Sequence, residues 1–248
     1  MTRFIENSPL PTKAGSCWSP GRAPIRHRGR EPRPRPVVEV AATPDFDVTG
    51  CGDHPAWSNA SWTPLGRTGP GRSRLETRFK CLHSDAAIYF LVDCEDRRIS
   101  ATGGCGDELW KEDVVEIFLW PDESRRVYFQ YDLSPLGAEL PLLIPSPEFP
   151  HGWSPWQYEG ARRVAAKTAA VGGALTPLAE VERWTAEIRI PYALLAGILP
   201  GKPRRGTTWR GNVCRTDFDG SMASGWAWSD RIGTNTHALH EYGSLRFT

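Results

Sequence analysis

Hydrophobic and polar residues alternate along much of this chain, with the period of two that is typical of half-buried β-strands. In the segment Val114–Trp120, Val115, Ile117 and Leu119 share one side of the predicted strand, and Glu116 lies on the other side. The same alternation, or a composition typical of strands, recurs in Val37–Val40, Leu75–Leu82, Ala87–Cys94, Val127–Leu133, Trp184–Ile190, Trp209–Thr216 and Gly243–Phe247.

Glycine and proline separate these segments, since the chain holds 24 Gly and 22 Pro, and such residues mark turns and loops. A helix of one or two turns is predicted at Pro191–Leu199, because proline suits the first helical position. Strands and helices do not alternate as they do in parallel sheets. The sequence therefore predicts an all-β fold, a two-sheet antiparallel β-sandwich of jelly-roll type with at most one or two short helices.

The N-terminal segment, residues 1–36, differs from the rest in charge and composition. Its net charge is +6, whereas residues 37–248 carry −5. The segment is rich in Arg and Pro and has little to bury, so we expect a disordered basic tail over residues 1–36 and one domain over residues 37–248. An acidic domain disfavours nucleic acid as a partner, and no stretch approaches the ~20 apolar residues that span a membrane.

The N-terminus lacks the apolar core of a secretory signal. We therefore expect a cytoplasmic location, or an extracellular or periplasmic one if the native start lies elsewhere. The six cysteines show no spacing that indicates zinc. Cys94 and Cys214 are predicted to be buried in strands, and a Cys51–Cys105 disulfide is left open.

Eleven tryptophans are more than one core usually needs, so some are expected to face a ligand. Trp228, in the sequence W-S-D, is predicted to lie in the core. The segment His151–Tyr158 contains two Trp and one Tyr and is too polar to be a core strand. It either covers a binding face or fills the space beneath the sheet, and we favour the second interpretation.

Several segments, taken in order, resemble the family 9 carbohydrate-binding modules, which are xylanase-associated domains of the DOMON-like superfamily. The most similar is Leu109–Leu119 (LWKEDVVEIFL), which resembles the family motif W-x-x-D-x-V-E-I-F. The others are Asp47–Trp57, Ala87–Asp93, Trp184–Pro191, Trp209–Thr216, Trp228–Asp230 and Tyr242–Phe247. The resemblance covers roughly residues 40–248. It implies a β-sandwich that holds a sugar between aromatic side chains, in proteins of plant polysaccharide breakdown.

The resemblance assigns Trp110 as the platform on which a sugar stacks and Glu116 as a carboxylate that binds hydroxyls. A sugar ring has an apolar C–H face that packs on an aromatic plane, and its hydroxyls need fixed polar partners. We expect Leu109–Leu119 to be an exposed edge strand, with the Trp110 indole in solvent beside Glu116. The alternative is a Trp folded over the edge of the sandwich and a Glu paired with an Arg.

Two positions depart from the family pattern. Gln130 stands where the family carries a sugar-binding Arg, and it lacks the charge and the planar fork of Arg. Thr236 stands where the family carries its second stacking Trp, so we expect Asn235 or His237 to form the remaining wall. The predicted ligand-binding residues are Trp110, Glu116, Gln130, Asn235 and His237, and the predicted partner is an oligosaccharide or polysaccharide related to xylan or cellulose.

We predict no catalytic activity, because the resembled family is non-catalytic. A glycoside hydrolase is the minority alternative, since it needs two facing carboxylates and one segment is rich in them: Asp107, Glu108, Glu112, Asp113 and Glu116. A second alternative is a sandwich that has lost sugar binding and serves a structural or protein-interaction role.

No cofactor is predicted. Haem is disfavoured because Met222 is the only methionine of the predicted domain and C-x-x-C-H is absent, although His237 and His240 lie close together. A structural calcium remains compatible with the sequence, because loop carboxylates suit that ion. The candidate ligands are Asp45, Asp47, Asp217 and Asp219.

Overall fold

The computed structural model describes residues 34–69, 73–102, 109–219 and 223–248. Within them the chain forms thirteen β-strands, one short α-helix and several single 3-10 turns. The strands are β1 (Val37–Ala42), β2 (Thr63–Pro64), β3 (Gly66–Thr68), β4 (Thr77–His83), β5 (Ala87–Glu95), β6 (Val114–Trp120), β7 (Tyr128–Leu133), β8 (Glu139–Ile144), β9 (Ala165–Val171), β10 (Arg183–Pro191), β11 (Thr208–Asp217), β12 (Ser224–Ala227) and β13 (Gly243–Phe247).

Some predictions fall outside the described residues, among them most of the predicted tail, Cys105 and Met222. Residues 34–36, at the end of that tail, already contact the domain, since the Ser244 N–H donates to the Pro36 carbonyl at 2.9 Å. No helix in the described part of the chain is long and apolar enough to cross a membrane.

The strands lie in the order β8-β7-β6-β11-β13-β1-β4-β5-β10-β9. Strand β1 joins the two sheets, because Val37–Val40 pair with β13 whereas Ala41 and Ala42 pair with β4. Both pairings of β1 are parallel, and the other strand pairings are antiparallel. The predicted all-β sandwich is confirmed, with the parallel β1 as its departure from a purely antiparallel arrangement.

The interior is filled from both sheets. Ile117 and Phe129 of the first sheet lie in one cluster with Phe90 and Ile188 of the second, and all four are buried. Trp228 belongs to the same cluster, as predicted. Each such side chain contributes about 1.5–3 kcal/mol when fully buried. The strand alternation read from the sequence therefore identifies the core side of the strands correctly.

The predicted helix at Pro191–Leu199 is shorter than expected. Helix α1 spans Tyr192–Leu195, with Pro191 as its N-cap residue. The chain then turns, with the Ile198 N–H donating to the Leu195 carbonyl at 2.9 Å. The following Gly197 and Pro200 both disfavour continuation of a helix.

The segment before β2 folds onto the outer face of the second sheet. The Glu187 carboxylate on β10 accepts hydrogen bonds from the backbone N–H groups of Thr49 and Gly50, both at 2.8 Å. Gly50 has φ +91°, and a Cβ there would lie 2.9 Å from the Thr168 backbone, so the position requires glycine. Glu187 is fully buried beneath this segment, although its neighbours Ala186 and Ile188 are core-facing residues of β10.

Candidate functional site

A cleft of about 640 Å³ opens on the first sheet, on the face turned away from the main core. Its floor consists of Glu116 on β6 and Gln130 and Asp132 on β7, which share one face of the strand pair. Leu140 and Leu142 of the neighbouring strand β8 extend the floor on the same face. The alternation that buries the opposite face of each strand thus places polar groups on this face.

Trp110 forms one wall of the cleft. It lies in a 3-10 turn, Leu109–Lys111, directly before β6. Leu109 is buried beside Val114 and fixes this turn, whereas the Trp110 side chain is 55% exposed. The Nζ atom of Lys111 lies 5.0 Å from the centroid of the Trp110 ring.

Thr236 and His237, after β12, form the opposite wall. The Nδ1 atom of His237 and the Tyr128 hydroxyl share a hydrogen bond of 2.6 Å, and the ring of Phe118 packs against the imidazole edge with centroids 5.8 Å apart. Burial, aided by the nearby His151, lowers the pKa of His237 below its usual value. The imidazole is therefore neutral at neutral pH.

Four of the five predicted site residues, Trp110, Glu116, Gln130 and His237, line this cleft together. Asn235 does not line it, because it is exposed and its Oδ1 accepts the backbone N–H of His237 at 3.1 Å. Its neighbour Thr236 lines the cleft instead. The position that matches the family's second Trp therefore remains at the site, but with a small side chain.

The prediction that Leu109–Leu119 forms an edge strand is wrong. Strand β6 lies inside the sheet, between β7 and β11. Trp110 is exposed because it lies in the turn before the strand, not because the strand is at an edge. The edge belongs to β8, which pairs only with β7 among the described strands.

The interpretation of His151–Tyr158 as a plug is wrong for its two tryptophans, since Trp153 and Trp156 are 57% and 77% exposed. Trp153 pairs with Leu143 at the edge of β8. Consecutive residues of an extended chain point to opposite sides, so Gly152 and Ser154 line the cleft while Trp153 points away.

Sequence reasoning missed several residues of the cleft. Asp132 shares a strand face with Gln130, so the same alternation that places one could have identified the other. Thr216, which also lines the cleft, lies on β11, and β11 pairs directly with β6. The segment Pro150–Ser154 carries no motif that connects it to the floor.

The two carboxyl groups of the floor lie directly opposite each other. Glu116 and Asp132 are partners in the β6–β7 register, and they are 6% and 1% exposed. Burial raises the pKa of Asp132 to about 7. Burial, together with the charge of Asp132, raises the pKa of Glu116 well above its usual value. Simultaneous ionisation of the Glu116 and Asp132 carboxyl groups is therefore energetically unfavourable.

Hydrogen-bond acceptors on the floor exceed the available donors. Gln130 donates its Nε2 to both carboxylate oxygens of Asp132, at 2.9 and 3.1 Å. Its own Oε1 is buried without a partner in the described structure. Within the described residues, the Glu116 carboxylate also forms no hydrogen bond or ion pair. The arrangement is suited to a ligand that brings donors.

A second acidic cluster lies outside the cleft. Asp96, Asp113 and Asp217 are buried and have carboxylate oxygens within 4.8 Å of one another. Arg215 donates from Nη2 to Asp96 at 3.1 Å and to Asp217 at 2.9 Å. Burial raises the pKa of Asp113 to about 7 and that of Asp217 to about 6. The single positive charge of the Arg215 guanidinium therefore cannot neutralise all three carboxyl groups if they are ionised.

This cluster fits a hard cation such as calcium, which prefers oxygen ligands. The Oδ2 atom of Asp217 is buried and has no partner among the described residues, so it is free to bind an ion. Of the four aspartates that the sequence suggested for calcium, only Asp217 belongs to the cluster. Asp45 is engaged elsewhere, since it accepts the Ser84 hydroxyl at 2.7 Å and the Tyr89 hydroxyl at 2.6 Å.

The model of the family described as "Carbohydrate family 9 binding domain-like" matches residues 48–136 of this chain. Apart from Asp47, that range contains the first three of the resembling motifs, and it includes the floor residues of β6 and β7. A comparison with the curated proteins finds no match.

Solved structures share the fold. A family 9 carbohydrate-binding module from Caldicellulosiruptor kristjanssonii, in complex with cellotriose, has a TM-score of 0.60 at 17% identity over 86% of this chain and 93% of that chain. Its glucose complex has a TM-score of 0.60 at 17% identity, covering 85% and 95%. A proposed carbohydrate-binding protein from Bacteroides uniformis ATCC 8492 has a TM-score of 0.68 at 18% identity, covering 87% and 100%.

The later motifs, from Trp184 to Phe247, lie beyond the segment matched in sequence; three of them fall almost entirely in strands β10, β11 and β13, and Trp228–Asp230 directly follows β12. The resemblance read from the motifs is confirmed: residues 48–136 match the carbohydrate family 9 binding domain-like model, and the chain has the β-sandwich fold of the solved family 9 carbohydrate-binding module.

Proposed function

We propose that this chain binds carbohydrate in the cleft between Trp110 and His237, as a non-catalytic module that takes plant-type oligosaccharides or polysaccharides related to xylan or cellulose. The observation that carries the proposal is the exposed Trp110 indole beside a floor of unpartnered acceptors on Glu116 and Gln130. The apolar face of a sugar packs on the indole, and its hydroxyls donate to the floor. We assign this binding to the breakdown of polysaccharides.

The solved complexes support a glucose-type ligand, since the Caldicellulosiruptor module binds cellotriose in one structure and glucose in another. The cleft volume, about 640 Å³, suits a small ligand, because ligand cavities typically measure ~300–1,000 Å³. His237 and Thr236 offer less flat area than a second Trp, which lowers the expected affinity by about 1 kcal/mol.

The arrangement of the carboxyl groups favours binding over hydrolysis. A glycoside hydrolase places its two carboxylates on either side of the scissile bond, ~5–9.5 Å apart. Glu116 and Asp132 instead stand side by side on one floor, as direct cross-strand neighbours. Of the other acidic residues in that segment, Asp113 belongs to the separate cluster with Asp96, and Asp107 and Glu108 lie outside the described residues.

Calorimetry with cellotriose and xylotriose tests the proposal, comparing the wild type with Trp110→Ala and with Trp156→Ala as a matched control. Trp156 is 77% exposed and does not line the cleft. Removal of the stacking indole is expected to weaken binding about tenfold, whereas the control binds like the wild type. If Trp110→Ala bound the sugar as tightly as the wild type, the Trp110 indole would not be part of the binding site. No binding of any sugar by the wild type would favour the structural or protein-interaction role.

A further inference from the structure

The floor of the cleft brings two carboxyl groups and an amide oxygen together with few donors to match them. Glu116 and Asp132 are both more than nine-tenths buried, and no hydrogen bond or ion pair reaches the Glu116 carboxylate within the described chain. Gln130, 6% exposed, adds the unpartnered Oε1. Buried acceptors without donors cost free energy, so their presence at a cleft indicates donors supplied by a ligand.

No lysine or arginine balances the charge of these carboxyl groups among the described residues that line the cleft. Lys111 packs over the Trp110 ring and is not part of the lining. Arg215, on the neighbouring strand β11, is paired with Asp96 and Asp217. The imidazole of His237 is neutral, because burial lowers its pKa. The floor therefore lacks a compensating cation of its own.

We propose that the cleft selects sugars that carry a protonated amine, such as 2-amino-2-deoxy sugars, over neutral sugars of the same size. An ammonium group brings three N–H donors and one positive charge. These match the Glu116 carboxylate, the Asp132 carboxylate and the Gln130 Oε1 that converge on the floor. A hydroxyl brings one donor and no charge. The inference rests on the proposed function, since Trp110 still supplies the stacking surface.

The protonation state of the floor gives this selection a measurable signature. Burial raises the pKa of Asp132 to about 7, and burial together with the charge of Asp132 raises that of Glu116 well above its usual value. The empty cleft therefore retains protons near neutral pH, and an ammonium ligand that pairs with the carboxylates displaces them. Amino-sugar binding is thus expected to release protons, which calorimetry in buffers of different ionisation enthalpy detects.

The experiment compares glucosamine and its β-1,4-linked disaccharide with glucose and cellobiose, and with N-acetylglucosamine, in which acetylation converts the amine to an uncharged amide. Calorimetric titrations run at about pH 7, where Asp132 is partly ionised and a sugar amine is still mostly protonated. The amino sugar is expected to bind about tenfold more tightly than the neutral sugar of equal size, as charge-assisted hydrogen bonds are stronger than neutral ones. High salt is expected to reduce that ratio.

Asp132→Asn is expected to bring the ratio of the two dissociation constants towards one, and Glu116→Gln to do the same. Asp85→Asn serves as the matched control, because Asp85 is exposed on the β4–β5 turn outside the cleft, and it should keep the wild-type ratio. If one variant fails to fold, the salt dependence of the wild-type ratio still tests the proposal.

Different binding results would overturn the charge selection and the carbohydrate-binding proposal. If glucose and cellobiose bind but the amino sugars bind no more tightly, the charge selection is overturned and the carbohydrate-binding proposal stands. If neither neutral nor amino sugars bind, both are overturned. A preference for N-acetylglucosamine equal to that for glucosamine also overturns the selection, because recognition would then follow the shape of the substituent rather than its charge.

Discussion

The indole N–H of Trp57 donates to Oε1 of Glu187 across 2.7 Å, and both side chains are buried. The two residues are 130 positions apart in sequence. Through this bond the Glu187 carboxylate, in the middle of β10, anchors the motif Asp47–Trp57. The Oε2 atom of the same carboxylate accepts the Gly50 N–H. A motif that looks local in sequence is therefore held by a distant strand.

We expect Glu187→Gln to destabilise the domain by about 1–3 kcal/mol. The amide keeps one acceptor oxygen, but its NH2 group cannot accept, so N–H donors of Trp57 or of Thr49 and Gly50 are left unsatisfied. Urea unfolding measures the change. Glu180→Gln is the control, because Glu180 is exposed, and its midpoint should stay at the wild-type value. A Glu187→Gln midpoint that also stays there would contradict the anchoring role.

Asp132→Asn is expected to make stability less dependent on pH. The pKa of Asp132 is raised to about 7 by burial, whereas an Asp in an unfolded chain titrates near ~3.9. Between these values the folded state binds more protons than the unfolded state, so wild-type stability falls as pH rises through this window. The variant lacks this loss, so its free energy of unfolding relative to that of the wild type is expected to increase towards mildly alkaline pH.

Unfolding in urea at acidic and mildly alkaline pH measures this difference, expected to be on the order of a few kcal/mol. Asp113, with a pKa also raised to about 7, contributes a pH dependence of the same sign to both proteins. The comparison is therefore the wild type minus the variant at each pH. A constant difference across the pH range would show that Asp132 is ionised throughout.

Thr236→Trp is expected to raise sugar affinity up to about tenfold, because it restores a second aromatic wall opposite Trp110. Thr236 lines the cleft, whereas its neighbour Asn235 is exposed outside it. Asn235→Trp is therefore the matched control for an added indole, and it should leave the affinity unchanged. Similar gains in both variants would mean that the added indole acts non-specifically.

Calcium is expected to raise the melting temperature if it occupies the cluster of Asp96, Asp113 and Asp217, since a ligand bound by the folded state alone stabilises it. Thermal unfolding with added calcium and with a chelator measures the shift. Asp217→Asn should abolish it, while Asp47→Asn, outside the cluster, should retain it. An identical melting temperature with calcium and with chelator would leave Arg215 as the cluster's only cation among the described residues.

Much of the fold could be predicted from the sequence, because the signal for a strand is local. The alternation in Val114–Trp120 identified Val115, Ile117 and Leu119 as the core side, and these side chains are fully buried. The same alternation placed Glu116 on the opposite face, where the cleft lies. Pro191 likewise marked the start of α1.

The tertiary structure alone decided which strands are neighbours and which segments form the walls of the cleft. Strand β6 lies inside the sheet because β11, about a hundred residues later, pairs with it. The local pattern of hydrophobic residues does not indicate which distant strand will be the partner. The same holds for Pro150–Ser154, for Thr236 and for the Glu116–Asp132 pairing. Hydrophobic periodicity fixes the face on which a side chain lies, but long-range backbone pairing fixes what stands beside it.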